Sequence, residues 1–104
     1  MPEFANNFSG MKADRKLTND ELIRAIRFDI AAEYEAAQLY LQLAESIDDR
    51  LAIAVLRDVA KEELEHVGEF LRLLKELAPD EQEHYDEGAG EVEDMMKNLD
   101  KKKK

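Results

Sequence analysis

The sequence predicts an all-α protein, built on an antiparallel two-helix hairpin that is followed by a short C-terminal helix. Gly and Pro are rare, with four and two in 104 residues, so few positions interrupt a helix. Two long segments repeat apolar residues at the helical period of about 3.6, and only a few polar residues separate them. A connection this short places the two helices side by side and antiparallel.

A capping box predicts the start of the first helix. Thr18 is followed three residues later by Glu21, and Leu17 and Leu22 flank the pair as a hydrophobic staple. We therefore expect a helix over residues 19–46. Its inward side is predicted to carry one carboxylate among apolar residues, namely Leu22, Ala25, Ile26, Ile30, Glu33, Ala36, Ala37, Tyr40, Leu43, Ala44 and Ile47.

The second helix is predicted to begin at residue 49 or 50 and to end at residue 77. Asp48 and Asp49 offer capping side chains at its start. Pro79 ends it, because the residue before a proline avoids the helical region. The inward arc of this helix is formed by Leu56, Val59, Ala60, Glu63, His66, Val67, Phe70, Leu74 and Leu77.

The segment after Pro79 is expected to be less regular. Residues 80–90 are polar and acidic, and the Gly-Ala-Gly run at 88–90 predicts a break. A short amphipathic helix is predicted over residues 91–99, with an apolar side formed by Val92, Met95, Met96 and Leu99.

The two ends of the chain are expected to lie outside the folded domain. Residues 1–16 show no hydrophobic period and are predicted to form a flexible leader. Residues 101–104 are lysines and are predicted to form a solvated basic tail. The helical domain is thus expected to span residues 17–100.

Charge and composition restrict the partners. The formal net charge is −10, and such a field repels nucleic acid and anionic membrane surfaces while it attracts cations. No run approaches the roughly 18 apolar residues of a membrane span. The chain contains no Cys, which removes disulfides and thiolate metal sites and is compatible with a reducing cytosol. We expect a soluble cytoplasmic protein.

Two carboxylates fall on the predicted apolar sides, Glu33 on the first helix and Glu63 on the second. A buried charge is costly unless it is paired or binds a cation. His66 follows Glu63 at the spacing of one helical turn, so its imidazole lies beside that carboxylate. A histidine at the edge of the core, salt-bridged to a nearby glutamate, is the alternative to a metal site.

A lone hairpin leaves much apolar surface exposed, so we expect homodimerisation into a four-helix bundle. Dinuclear carboxylate centres in such bundles use one Glu from each of two helices and a Glu-x-x-His from each of the other two. Glu33, Glu63 and His66 are half of that set, and a symmetric dimer doubles them. Carboxylate and imidazole donors suit iron or manganese, with zinc as a substitute.

Other polar residues lie close to this set in the pattern. Tyr40, two turns after Glu33 on the same side, is either a hydrogen-bond donor to a ligand oxygen or an ordinary core aromatic. Asp29, one turn before Glu33, is either a third inward carboxylate or a solvent-facing residue near the helix start. Glu62 falls near the edge of the arc, toward water. His84, in the acidic segment, is expected to be a solvated histidine.

The core over residues 26–77 resembles the ferritin-like superfamily, and specifically the encapsulated ferritins, which are short members that assemble by dimerising. The resemblance lies in Glu33-Tyr34-Glu35 with Tyr40 on the first helix, and in the Glu-Glu-Leu-Glu-His run at 62–66 on the second. In that family an acidic pair beside the ligand Glu is thought to lead metal to the site. Glu35 matches one position of the pair, whereas the other is Ala32.

The resemblance implies that Glu33, Glu63 and His66 ligate a di-iron ferroxidase centre between two subunits, where Fe(II) is oxidised to Fe(III) by dioxygen. It also implies an annular homo-oligomer, often a decamer, that stores iron inside an encapsulin nanocompartment in the cytoplasm. Some relatives are fused to their shell protein, so the chain is a candidate for one domain of such a fusion. A rubrerythrin-like peroxidase and a non-catalytic metal-binding structural bundle are the alternatives.

Overall fold

The computed structural model describes residues 11–103, with side chains over residues 11–101. In that range the chain forms three α-helices and no strand: α1 (Asn19–Glu45), α2 (Arg50–Leu77) and α3 (Pro79–Lys103). The predicted all-α fold class is confirmed. The leader predicted over residues 1–16 falls largely on residues 1–10, which lie outside the described residues.

The start of α1 is fixed by the predicted capping box. The Glu21 backbone N–H donates to Thr18 Oγ1 at 3.2 Å, and the Thr18 backbone N–H donates to Glu21 Oε1 at 2.9 Å. Arg15 adds a bidentate contact, because its guanidinium donates to both Glu21 carboxylate oxygens at 2.7 and 2.6 Å. The two contacts of the capping box satisfy backbone N–H donors that would otherwise be unpaired at the helix end.

A four-residue connection joins α1 to α2 and makes them antiparallel. The Ser46 hydroxyl donates to the Gln42 carbonyl at 2.7 Å as α1 ends. Asp49 then caps α2 by accepting from the Ala52 backbone N–H at 2.8 Å. The start of α1 consequently lies beside the end of α2, where Ile23 and Ile26 pack against Leu74.

The buried core of the hairpin is narrow and rich in small residues. Its members are Ile23, Ile26, Ala37, Ala44, Ala60, Val67 and Leu74. The three alanines let the two helices approach closely along the middle and far end of the hairpin. Several large apolar side chains remain exposed, and they include Leu39, Leu43, Leu51, Val55 and Leu64. One hairpin therefore does not cover its own apolar surface.

The structure corrects the prediction for the segment after Pro79. Residues 80–90 are helical, without a break at the glycines, and α3 continues through Lys103. Pro79 ends α2 and also begins α3, because a proline is well suited to the first position of a helix. Glycine costs only about 1 kcal/mol per helical position. The helix formers around Gly88 and Gly90 outweigh that cost.

Only the first turns of α3 pack against the hairpin. The Arg27 guanidinium of α1 donates to Glu81 Oε1, with Nε at 3.0 Å, and the Tyr85 hydroxyl donates to the other oxygen of that carboxylate. Every side chain over residues 83–101 is exposed. Within residues 11–103, no helix combines the length and the apolar character that a membrane crossing requires.

Candidate metal centre

Glu33 is presented from α1 in the narrow middle of the hairpin. Its carboxylate side chain is 24% exposed and lies one turn before the buried Ala37. Because Ala36 and Ala37 carry only a methyl group, they leave room for α2 to come close to the carboxylate. The half-buried position agrees with the predicted inward side of α1.

Glu63 and His66 face Glu33 from α2. The Glu63 side chain is 17% exposed, whereas that of His66 is 47% exposed. The two residues are separated by one turn, between the buried Ala60 and Val67. They therefore meet Glu33 at the seam between α1 and α2, with the imidazole on the open side.

The three side chains form a compact ligand group. His66 Nδ1 lies 3.4 Å from Glu33 Oε2 and 3.5 Å from Glu63 Oε2. One ligand atom from each residue lies within 4.8 Å of the other two. The structure thus brings together the three residues that the sequence analysis singled out, and no other group of three metal-ligating side chains as close is found among the described residues.

The donor set suits a transition metal ion. Two carboxylates and one imidazole match the ligands preferred by iron, manganese and zinc, whereas magnesium and calcium favour oxygen donors alone. Both carboxylates are largely shielded from water, so a cation bound between them would stabilise their charge. Three donors do not complete a four- to six-coordinate shell, and the exposed edge of His66 leaves one side of the group open to further ligands.

The four residues predicted to assist the site lie outside this group. Tyr40 is half-buried on α1, and Glu35 and Glu62 are exposed. Asp29 lies one turn before Glu33, and partial burial raises the pKa of its carboxyl above the ordinary value. None of the four contributes a ligand atom to the close group formed by Glu33, Glu63 and His66.

Glu69 is a neighbour of the site that the sequence reasoning missed. It lines an open depression of about 450 Å³ together with Glu33, His66, Phe70 and Leu73. A signal for it was present in the sequence, because Glu63, His66 and Glu69 repeat at intervals of three residues and so follow one another along α2. Glu69 itself is exposed.

The close-packed hairpin and the carboxylate and imidazole groups on its facing helices define a ferritin-like domain. The crystal structure of the encapsulated ferritin domain from Pyrococcus furiosus has this fold, with a TM-score of 0.78 and 38% sequence identity. The match covers 85% of this chain and 90% of that chain. A family model described as rubrerythrin matches residues 24–103. The chain belongs to the rubrerythrin family.

Two curated relatives support the same placement. The ferritin-like-encapsulin shell fusion protein of Pyrococcus furiosus is 39% identical over 82 residues, which are 79% of this chain and 24% of the relative. The encapsulin nanocompartment cargo protein EncC of Myxococcus xanthus is 40% identical over 70 residues, which are 67% of this chain and 54% of the relative. The chain thus spans about a quarter and about half of their lengths. The predicted resemblance to encapsulated ferritins is confirmed.

Proposed function

We propose that the protein is a ferroxidase that oxidises Fe(II) to Fe(III) with dioxygen at a di-iron site shared by two subunits. The observation that carries the proposal is the meeting of Glu33, Glu63 and His66 from two helices within 4.8 Å. Membership in the rubrerythrin family supports iron as the metal, because carboxylate-bridged di-iron centres occur in ferritin-like bundles.

Two chains are needed because one chain offers too few donors for two metal ions. A pairing about a two-fold axis brings each ligand group opposite its copy and yields four carboxylates and two imidazoles. The exposed apolar side chains of the hairpin, such as Leu39 and Leu43, supply surface for such a pairing. A larger annular assembly, with ten subunits as one candidate, rests on the resemblance to encapsulated ferritins.

Each ligand has a distinct part in the proposed reaction. Fe(II) is the substrate: two ions give up one electron each, and one dioxygen takes up both electrons and two protons from solvent to leave as hydrogen peroxide. Glu63, the least exposed carboxylate of the three-residue group, is suited to bridge two ions, and Glu33 to bind as a terminal or bridging ligand. His66 supplies the nitrogen donor. The negative carboxylates favour the higher charge of Fe(III), so they stabilise the product state.

An encapsulin shell is the proposed partner, and the interior of a cytoplasmic nanocompartment the proposed location. Support comes from the two relatives, one a shell fusion and the other a nanocompartment cargo protein. In this proposal the oxidised iron is stored within the shell. Manganese and zinc are expected to compete for the same ligands.

A rubrerythrin-like peroxidase is the second candidate, because the family model is that of rubrerythrin. The 104 residues contain no Cys, so they hold no rubredoxin-type iron centre. Oxidant preference separates the two activities. A ferroxidase accelerates oxidation of Fe(II) by dioxygen over protein-free buffer, whereas a peroxidase accelerates the reaction with hydrogen peroxide over its own protein-free control.

The proposal is tested by adding Fe(II) to the protein without oxygen, mixing with oxygenated buffer and following Fe(III) absorbance. Replacing a residue that only hydrogen-bonds to a metal ligand typically costs about 10–100-fold in metal affinity or activity. Glu63→Ala removes a ligand itself and should therefore slow oxidation by about tenfold or more. Glu65→Ala is the matched control, because Glu65 is an exposed glutamate on the same helix. Equal rates in wild type, in Glu63→Ala and in buffer would refute ferroxidase activity and leave a structural metal site.

A further inference from the structure

His66 uses one ring nitrogen in its contacts with the other ligands. Nδ1 faces the carboxylates of Glu33 and Glu63, at 3.4 and 3.5 Å. A metal ion bound between the three groups is therefore met by Nδ1, and the proton of a neutral imidazole then lies on Nε2. The side chain is 47% exposed, which leaves room for a hydrogen-bond partner beside the ring.

Glu69 lies one helical turn after His66, so its side chain is close enough to be a candidate partner for that second nitrogen. Side chains in a helix point toward the preceding turn. The Glu69 side chain is therefore directed toward His66, as the His66 side chain is directed toward Glu63. Residues three apart on a helix have Cβ atoms about 5–6 Å from each other. The Glu63–His66 contact shows that side chains at this spacing meet on this face of α2.

The surface around Glu69 supports the same contact. Glu69 and His66 line one depression, whose other members are Glu33, Phe70 and Leu73. Glu69 forms no hydrogen bond or ion pair with another residue of the described part of the chain, so its carboxylate is available. Glu62 precedes His66 by one helical turn, whereas Glu69 follows it. Glu62 does not line the depression.

We propose that Glu69 is a positioning residue for His66, accepting a hydrogen bond from Nε2–H and so holding Nδ1 toward the metal. The inference rests on the proposed metal site and adds to it a residue outside the ligand group. A carboxylate that accepts from a ligating imidazole fixes the tautomer and the ring orientation, and it makes the other nitrogen a better donor. Glu69 thereby strengthens metal binding without touching the metal.

The first test measures the affinity of the 104-residue chain for Zn(II) by competition with a coloured chelator. Glu69→Ala is expected to weaken binding by about tenfold or more, as is usual when an outer partner of a ligating histidine is removed. Glu65→Ala removes an equal charge from an exposed position of the same helix and should change affinity by less than about twofold. Glu69→Gln should restore most of the affinity, because its amide oxygen also accepts from Nε2–H.

A second measurement reports on the hydrogen bond itself. The protein is labelled with ¹⁵N-histidine in a His84→Asn background, so that His66 is the only source of imidazole signals. In the Zn(II)-loaded protein the Nε2 proton should be protected from solvent exchange and shifted downfield. Glu69→Ala should abolish that protection, while Glu65→Ala should preserve it.

The outcomes separate this inference from the proposed function. If wild type binds Zn(II) and Glu69→Ala matches Glu65→Ala in affinity and in Nε2 proton exchange, the role of Glu69 is overturned while the metal site stands. If wild type and His66→Ala bind Zn(II) equally, the metal site itself fails. A weaker affinity in Glu69→Ala with an unchanged Nε2 proton also overturns the inference, because Glu69 would then act through its charge alone.

Discussion

His66 Nδ1 of α2 lies 3.4 Å from Glu33 Oε2 of α1, although the two residues are 33 positions apart in the sequence. This contact depends on the close approach of the two helices, which the buried Ala37 and Ala60 allow. It also joins the two halves of the ligand group, since Glu63 approaches the same nitrogen from within α2. The candidate ligand group is thus a product of the hairpin and not of either helix alone.

Replacement of His66 is the most direct test of the ligand group. His66→Ala is expected to lower the metal content of the purified protein well below that of wild type, because the only nitrogen donor of the group is lost. Glu33→Ala and Glu63→Ala should also lower it. Helicity by circular dichroism should stay close to wild type in all three, since alanine is a strong helix former.

His84→Ala is the natural control, because the chain has two histidines and His84 is exposed on α3, away from the hairpin seam. Its metal content, measured by mass spectrometry of metals after equal loading, should equal that of wild type. Wild-type metal content in the three ligand variants would show that metal binds elsewhere.

Metal loading should depend on pH in a direction that the ligands fix. Carboxylate and imidazole bind metal only in their unprotonated forms, so protons compete with the ion for every donor of the group. We expect the apparent affinity for Zn(II) to fall as the pH is lowered from about 7.5 to about 5.5, because protons then compete more strongly with the ion for the donors of the group. Proton release on Zn(II) addition at neutral pH, followed with a pH indicator, should accompany binding. An affinity that does not change across this range would exclude His66 as a ligand.

The N-terminus of α1 should show a separate acid sensitivity. Hydrogen bonds from Arg15 and from the Thr18 backbone lower the pKa of the Glu21 carboxyl to about 2. Because the folded-state pKa lies below the ordinary value, these contacts stabilise the helix above the ordinary pKa, and the contribution is lost as the pH falls toward 2. As the pH falls from the ordinary carboxyl pKa to about 2, the Glu21→Gln variant should therefore lose less stability than wild type.

Thermal unfolding at a series of pH values measures this difference. Asp20→Asn serves as the control, since Asp20 is also an acidic residue of the first turn of α1. Equal acid dependence of the melting temperature in wild type and Glu21→Gln would contradict the assigned role of the Arg15 contact.

The hairpin and the positions of its candidate ligands were predictable because the helix-capping residues and the helical period of apolar residues indicate the same two helices. The capping box at Thr18 and the polar connection after Ser46 set the helix ends within a residue or two of those observed. Glu33, Glu63 and His66 stood out because charged or polar groups interrupt apolar stripes. Their meeting then followed from antiparallel packing.

Other features were not readable from the sequence, for physical reasons. The predicted inward residues Leu22 and Leu43 are exposed, because one partner helix covers only part of a broad apolar stripe. Glu69 was missed because it is a charged residue on an exposed surface, where a glutamate needs no explanation.

The continuity of α3 gives a final prediction, since it is where the sequence reasoning failed. A Cβ added at Gly88 or at Gly90 meets no atom within 4 Å, so alanine fits at both positions without steric cost. Each replacement, Gly88→Ala or Gly90→Ala, should stabilise α3 locally by about 1 kcal/mol, the difference in helix propensity. Amide hydrogen exchange within α3 should slow accordingly, while exchange in α1 and α2 stays unchanged because the exposed part of α3 does not pack on them. Ala89→Gly, at the intervening exposed position, should speed exchange by a similar factor. If alanine at both glycine positions left exchange in α3 unaltered, residues 80–90 would be irregular in solution, as the glycines alone suggested.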